Sequence, residues 1–171
     1  AKYGLPCEET PVGFNHIADL MLAGDVLIGG EESGGISIRG HIPEGDGVLM
    51  GLLLLEMVCA YNAPLHELVE QLLKEGGPAE YARTDLRLAR PLLKAEATRR
   101  LTEGAPQAIG GTRVANVETL DGVKFVLADD SWLLIRPSGT EPVLRVYVEA
   151  RDEVMLEALM AYGRSVAEGL R

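Results

Sequence analysis

Trp132-Leu133-Leu134-Ile135 runs into Arg136-Pro137-Ser138-Gly139-Thr140-Glu141-Pro142, and Val143-Leu144-Arg145-Val146-Tyr147-Val148 follows. The two apolar runs are rich in β-branched and aromatic residues and read as strands, so the segment between them is a loop on a rigid rim. That loop has the chemistry of a phosphate clamp. Arg136 can give a bidentate, charge-assisted pair to phosphate oxygens, Ser138 and Thr140 can donate hydroxyl hydrogens, and Gly139 lets backbone N–H groups converge on an anion. Arg145 adds a second cation on the following strand, where alternation leaves two choices, the loop mouth or the opposite surface. The competing reading is an ordinary turn punctuated by Pro and Gly.

Working outward, the strand pattern continues upstream at residues 84–88, 113–119, 123–128 and 131–136, with 143–150 last. Helical patterns lie at Pro91 to Glu103, with proline in the first turn, and from Asp152 to Gly169. Strands segregated from two helices imply an α+β domain, an antiparallel sheet with helices on one face. Glu75-Gly76-Gly77-Pro78-Ala79 is the clearest linker. We therefore expect a first domain over 1–76, a linker over 77–82 and a second domain over 83–171.

The first domain opens as though a helix ended at Tyr3-Gly4 and an earlier strand preceded it. A short helix is expected from Asn15 to Ala23, a buried strand over Val26-Leu27-Ile28 and another strand from Ile36 to Arg39. Asp46 to Tyr61 reads as a helix with Asp46 in the cap position, apolar nearly all round and hence expected to be buried. Asn62-Ala63-Pro64 breaks it, and Leu65 to Lys74 follows as an amphipathic helix. Between the two strands lies Gly29-Gly30-Glu31-Glu32-Ser33-Gly34-Gly35, placed as expected for a ligand loop at the carboxyl end of a buried strand in an open α/β sheet. Glu31 can accept hydrogen bonds from vicinal hydroxyls and Ser33 can donate or accept, which suits a polyol; a glycine-rich loop with solvated glutamates is the plain alternative.

The two loops, in this order and at this separation, resemble those of the α-D-phosphohexomutases, the phosphoglucomutases and phosphomannomutases. Glu9-Thr10-Pro11-Val12-Gly13-Phe14 is similar to the family's Thr-Pro-x-Gly segment, Gly30 to Gly34 to its sugar-specificity loop, and Gly40 to Gly47 to the turn before its long helix. Arg136 to Thr140 is similar to the phosphate loop of its last domain. The resemblance covers only the family's carboxyl-terminal portion. It implies a partial three-layer α/β/α domain, the third of the family, followed by the smaller antiparallel-sheet domain.

On that resemblance Gly13, Glu31 and Ser33 would hold the sugar of a hexose phosphate or hexose 1,6-bisphosphate, and Arg136, Ser138, Gly139, Thr140 and Arg145 its phosphate. Glucose is favoured over mannose as the sugar. The family's reaction is an intramolecular phosphoryl transfer through a phosphoserine and a bisphosphate, with Mg2+ neutralising charge. The serine and metal loops belong to amino-terminal domains not found here. The Asp-Gly steps, Asp46-Gly47 and Asp121-Gly122, lack the second aspartate of a metal loop. The resemblance therefore implies a piece with no catalytic residue and no metal of its own, inactive alone. Half of a split mutase, or a non-catalytic sugar-phosphate-binding or interaction protein, are the other readings. Asn15 and Gly45 stand where many relatives carry basic residues.

Composition fits this frame. A net charge of −10 argues against nucleic-acid binding, which needs a basic surface, so an anionic ligand must meet local cations. With 47% hydrophobic residues the chain can bury a core. Cys7 and Cys59 are too few for a disulfide framework or a zinc site, which makes the reduced cytoplasm the expected compartment. The most apolar run, Val48 to Ala60, is shorter than the ~20 residues that span a bilayer, so no membrane partner is expected.

Overall fold

The computed structural model describes residues 4–88, 92–138 and 141–169. The chain divides into two compact units, Ala1–Gln71 and Leu72–Arg171.

The second unit carries the larger core. Its sheet has the strand order β3-β8-β7-β6-β5-β4, from β3 (Glu80–Arg87), β4 (Ala108–Ile109), β5 (Thr112–Glu118), β6 (Val123–Leu127), β7 (Trp132–Pro137) and β8 (Val143–Ala150), every pairing antiparallel. Alternation is strict where it matters. Val123, Phe125 and Leu127 of β6, Leu133 and Ile135 of β7, and Leu144, Val146 and Val148 of β8 are all buried on one face. Each such side chain contributes about 1.5–3 kcal/mol on burial. Helices α4 (Lys94–Glu103) and α5 (Glu153–Gly169) bring Leu101, Leu159 and Ala167 into the same core. Tyr162 of α5 meets Phe125 edge-on, ring centroids 6.4 Å apart.

Glycine sets the depth of α5. A Cβ at Gly163 would lie 2.6 Å from Val146 Cγ1, so the helix reaches its sheet only because this position has no side chain. Two departures from the sequence reading occur here. Strand β3 is longer than residues 84–88 and starts within the stretch expected to be linker, because residues 80–83 pair with 147–150 of β8. Helix α4 begins at Lys94, after the non-helical Leu92 and Leu93; the expected start at Pro91 lies outside the described residues.

The first unit contains α1 (Phe14–Ala23), the antiparallel hairpin β1 (Ile28–Gly30) and β2 (Ile36–Ile38), and α2 (Gly47–Tyr61); α3 (Leu65–Gly76) crosses the division between units. Asp46 caps α2 as expected, its Oδ1 accepting from Val48 N–H and Leu49 N–H at 3.0 Å each. Asn62 ends the helix in the left-handed region, φ 49°.

The buried strand over 26–28 is corrected. Val26 and Leu27 precede β1, which is shifted toward the glycines, and Leu27 and Ile28 are more than half exposed. The hairpin register explains the shift: Gly29 pairs with Ser37, and Ile17 of α1 occupies the space a Cβ on Gly29 would need. The burial of α2 is corrected too. No residue of this helix is buried, and Val48, Leu52, Leu55 and Tyr61 are largely exposed. A two-stranded hairpin is too narrow to cover a helix that is apolar all round. Among the described residues no single helix is long and apolar enough to cross a membrane.

Candidate functional site

In the second unit Arg136, Ser138 and Arg145, three of the residues expected to hold phosphate, gather at the end of β7 and the start of β8. Arg136 and Arg145 are direct cross-strand partners, on the face opposite the core. This settles the direction of Arg145, which alternation alone left open. Arg145 is in turn opposite Asp85 of β3, so acid, base and base follow one another across three strands.

The two guanidiniums are held differently. Arg136 Nε donates to Asp121 Oδ2 at 2.8 Å, and Lys94 Nζ donates to the other oxygen of the same carboxylate. Asp121 is nearly buried, its side chain 8% exposed, and Arg136 is 17% exposed. Arg145 is more loosely matched: its Nε lies 3.8 Å from Asp85 Oδ2 and one terminal nitrogen 4.0 Å from Glu141 Oε2. Both are beyond hydrogen-bonding distance, and the buried Nε has no hydrogen-bond partner among the described residues. Ser138 is fixed by the loop. Its N–H donates to Val143 O at 2.8 Å and its Oγ accepts from Glu141 N–H at 3.3 Å. Gly139 and Thr140 lie outside the described residues. An acidic chain thus concentrates two arginines and a lysine at one end of its central strands, with the Ser138 hydroxyl beside them, an arrangement that suits an oxyanion.

In the first unit Gly13 and Glu31 come together. Gly13 N–H donates to Glu31 Oε1 at 3.0 Å, linking the residue before α1 to the hairpin loop. Gly13 has φ 131°, and a Cβ there would lie 2.6 Å from Asn15 Oδ1, so this position requires glycine. The loop closes through Glu31 N–H to Gly35 O at 2.8 Å and Gly34 N–H to Glu31 O at 3.0 Å. Ser33 is exposed within it, apart from the Gly13–Glu31 contact. Arg39 pairs with Asp25 at 2.9 Å in an exposed position, and His41 Nε2 lies 3.2 Å from Asp46 Oδ2. Among the described residues no three His, Cys, Asp or Glu side chains converge to hold a metal ion. The donor set that Mg2+ needs is not found among them.

Sequence reasoning missed Asp121, Lys94 and Asp85. Asp121-Gly122 is visible as a turn signal, yet its use as a counter-charge depends on strand pairing, which local sequence does not encode.

Residues 1–75 match the family model described as phosphoglucomutase/phosphomannomutase, alpha/beta/alpha domain III, and residues 92–162 match that of the phosphoglucomutase/phosphomannomutase C-terminal domain. A phosphoglucosamine mutase from Rubrobacter xylanophilus is 34% identical over 150 residues, covering 88% of this chain and 30% of the relative. A phosphoglucosamine/phosphogalactosamine mutase from Sulfurisphaera tokodaii is 31% identical over 170 residues, covering 99% of this chain and 35% of the relative. The crystal structure of a Thermus thermophilus protein assigned as a phosphomannomutase superposes with a TM-score of 0.72 at 37% identity, over 94% of this chain and 31% of that one. The chain therefore spans about a third of the length of these relatives.

Proposed function

Because the chain belongs to the phosphoglucomutase/phosphomannomutase family, we propose that it forms the sugar-phosphate-binding carboxyl-terminal part of a phosphohexomutase, an isomerase that interconverts hexose 1-phosphate and hexose 6-phosphate. The observation that carries this reading is the opposed pair Arg136 and Arg145 beside the pinned Ser138. Two guanidiniums with incompletely matched counter-charges offer a dianionic phosphate what a single arginine cannot. Their contribution is positioning. They hold the phosphate that is not being transferred, so that the phosphoryl group at the other end of the sugar meets its acceptor in line. Glu31 and Ser33 would take the ring hydroxyls, and the phosphoserine and metal would come from other domains. We assign no catalytic residue to this chain and expect it to be inactive alone.

Glucosamine phosphate is the first candidate sugar, ahead of the glucose and mannose phosphates suggested by sequence. The names of the two relatives above support it, as does chemistry. Glu31 has one carboxylate oxygen engaged by Gly13 and keeps acceptor capacity in the other, which an ammonium group would satisfy better than a hydroxyl. Amide NMR titrations with glucosamine, glucose and mannose 6-phosphates test both levels. Saturable shifts at Ser138 and Arg145 with all three, and at Gly13 and Gly35 most strongly with glucosamine 6-phosphate, are the expected result. Shifts at neither loop with any sugar phosphate would leave the interaction-protein reading.

A further inference from the structure

Asp121 stands between two cations on a turn that only glycine permits. Gly122 has φ 94°, and a Cβ there would lie 2.5 Å from Ile135 O and 3.0 Å from Arg136 Cα. The turn is therefore pressed against the backbone of β7 at the residue whose side chain it must meet. One residue earlier, Asp121 presents Oδ2 to Arg136 Nε and Oδ1 to Lys94 Nζ. We infer that Asp121 is the positioning residue of the phosphate clamp: by accepting from Nε it fixes the plane of the Arg136 guanidinium and leaves the two terminal nitrogens for an end-on bidentate pair with phosphate. This rests on the sugar-phosphate reading proposed above.

The physical case has three parts. A guanidinium has five donors in a rigid fork, so capturing Nε removes the side-on approach and selects the end-on one. The carboxylate is almost fully buried while Arg136 retains some exposure, so the pair is anchored from the protein side and open toward solvent. Lys94, 58% exposed, adds a second positive charge against the same carboxylate. Asp121 is thus shared between two cations, and Arg136 keeps more net positive charge toward an incoming anion than an isolated ion pair would.

The experiment follows the Arg136 Nε–H signal in the 15N-labelled chain during titration with inorganic phosphate, in the wild type, Asp121→Ala and Asp121→Asn. In the wild type this signal is slowly exchanging and shifts saturably. Asp121→Ala loses it and binds phosphate at least about tenfold more weakly, the scale of one charge-assisted hydrogen bond. Asp121→Asn retains an acceptor oxygen; the signal persists and affinity stays within about threefold, a rescue that a purely structural acid would not produce. Should Asp121→Ala fail to fold, Asp121→Asn and Asp121→Glu carry the test, because affinity must follow the Nε–H signal from variant to variant. Affinity that does not track that signal, in a wild type that binds phosphate, overturns the positioning role alone. A wild type that does not bind phosphate overturns the sugar-phosphate reading, and this inference with it.

Discussion

Arg136 and Arg145 face each other across the β7–β8 ladder with no residue between them. Like charges directly opposed in a sheet cost up to about 1 kcal/mol. Here Asp121 anchors one arginine, while Asp85 and Glu141 stand at 3.8 Å and 4.0 Å from the other. The pair is therefore left short of counter-charge in the absence of ligand. Arg145→Met should leave the ligand-free protein equally stable or slightly more stable, by up to about 1 kcal/mol, while reducing the rise in melting temperature that phosphate produces. Thermal unfolding with and without phosphate reads both effects. A variant that loses stability and keeps the full phosphate response would assign Arg145 to structure instead.

Acid should loosen the start of α2. The carboxyl of Asp46 is held below its ordinary value of 3.8, first by the Leu49 N–H bond, against an opposing desolvation, with further lowering from Val48 N–H and His41. A carboxylate depressed in the folded state contributes stability above the unfolded value, and that stability is lost as pH falls through the lowered folded value. Amide exchange at Val48 and Leu49 should therefore accelerate as pH drops below about 4, after correction for intrinsic rates. In Asp46→Asn that acid-dependent step should disappear, because the cap acceptor no longer titrates. Persistence of the step would place the titrating group elsewhere.

What the sequence disclosed and what it hid divide along locality. Strands β6, β7 and β8 are legible to within a residue or two because every second residue is a buried aliphatic or Phe125, a period no local competitor imitates. The cap at Asp46 is legible because one side chain and its next three residues suffice. Strand β3 is only half legible: Glu80 to Arg83 have weak strand character and form a strand because Tyr147 to Ala150 lie opposite. The side of the sheet on which Arg145 meets Arg136 needs the register, and Asp121 needs a pairing across 15 residues of sequence. In the first unit an all-round apolar helix announces burial, yet α2 is exposed, because the two-stranded hairpin is too narrow to cover it. The Gly13–Glu31 contact joins two motifs that were separately visible; only their meeting was not.

The loop contact of Glu31 and the sugar contact proposed for it can be separated by substitution. Its Oε1 accepts from Gly13 N–H, a bond that an amide oxygen can replace and a methyl group cannot. Glu31→Ala should expose the Gly13 amide to exchange roughly tenfold faster, the scale of one hydrogen bond to a charged acceptor. Glu31→Gln should keep most of that protection but bind glucosamine 6-phosphate more weakly, since the other carboxylate oxygen is replaced by an amide NH2, which cannot accept from an ammonium group. Hydrogen exchange measured alongside the sugar-phosphate titration distinguishes the roles. If Glu31→Gln binds as the wild type does, the carboxylate serves only the loop.

The close approach of α5 to β8 sets a further test at Gly163. A Cβ at this position would be 2.6 Å from Val146 Cγ1 and 3.3 Å from Leu133 Cδ1, and both side chains are fully buried. Neither neighbour has free space to move into, so Gly163→Ala should destabilise the protein by about 1–3 kcal/mol through overpacking, outweighing the ~1 kcal/mol that alanine gains over glycine in a helix. Val146→Ala alone should also destabilise, by removing buried methyl groups. In the double variant the new methyl occupies part of the space the valine vacates, so the two costs should fall short of additivity by about 0.5 kcal/mol or more, a ~0.5–3 kcal/mol coupling being typical of residues in contact. Denaturant unfolding of the four proteins in this cycle measures that coupling. Strict additivity would mean that α5 shifts away from the sheet as a body instead of meeting it at this contact.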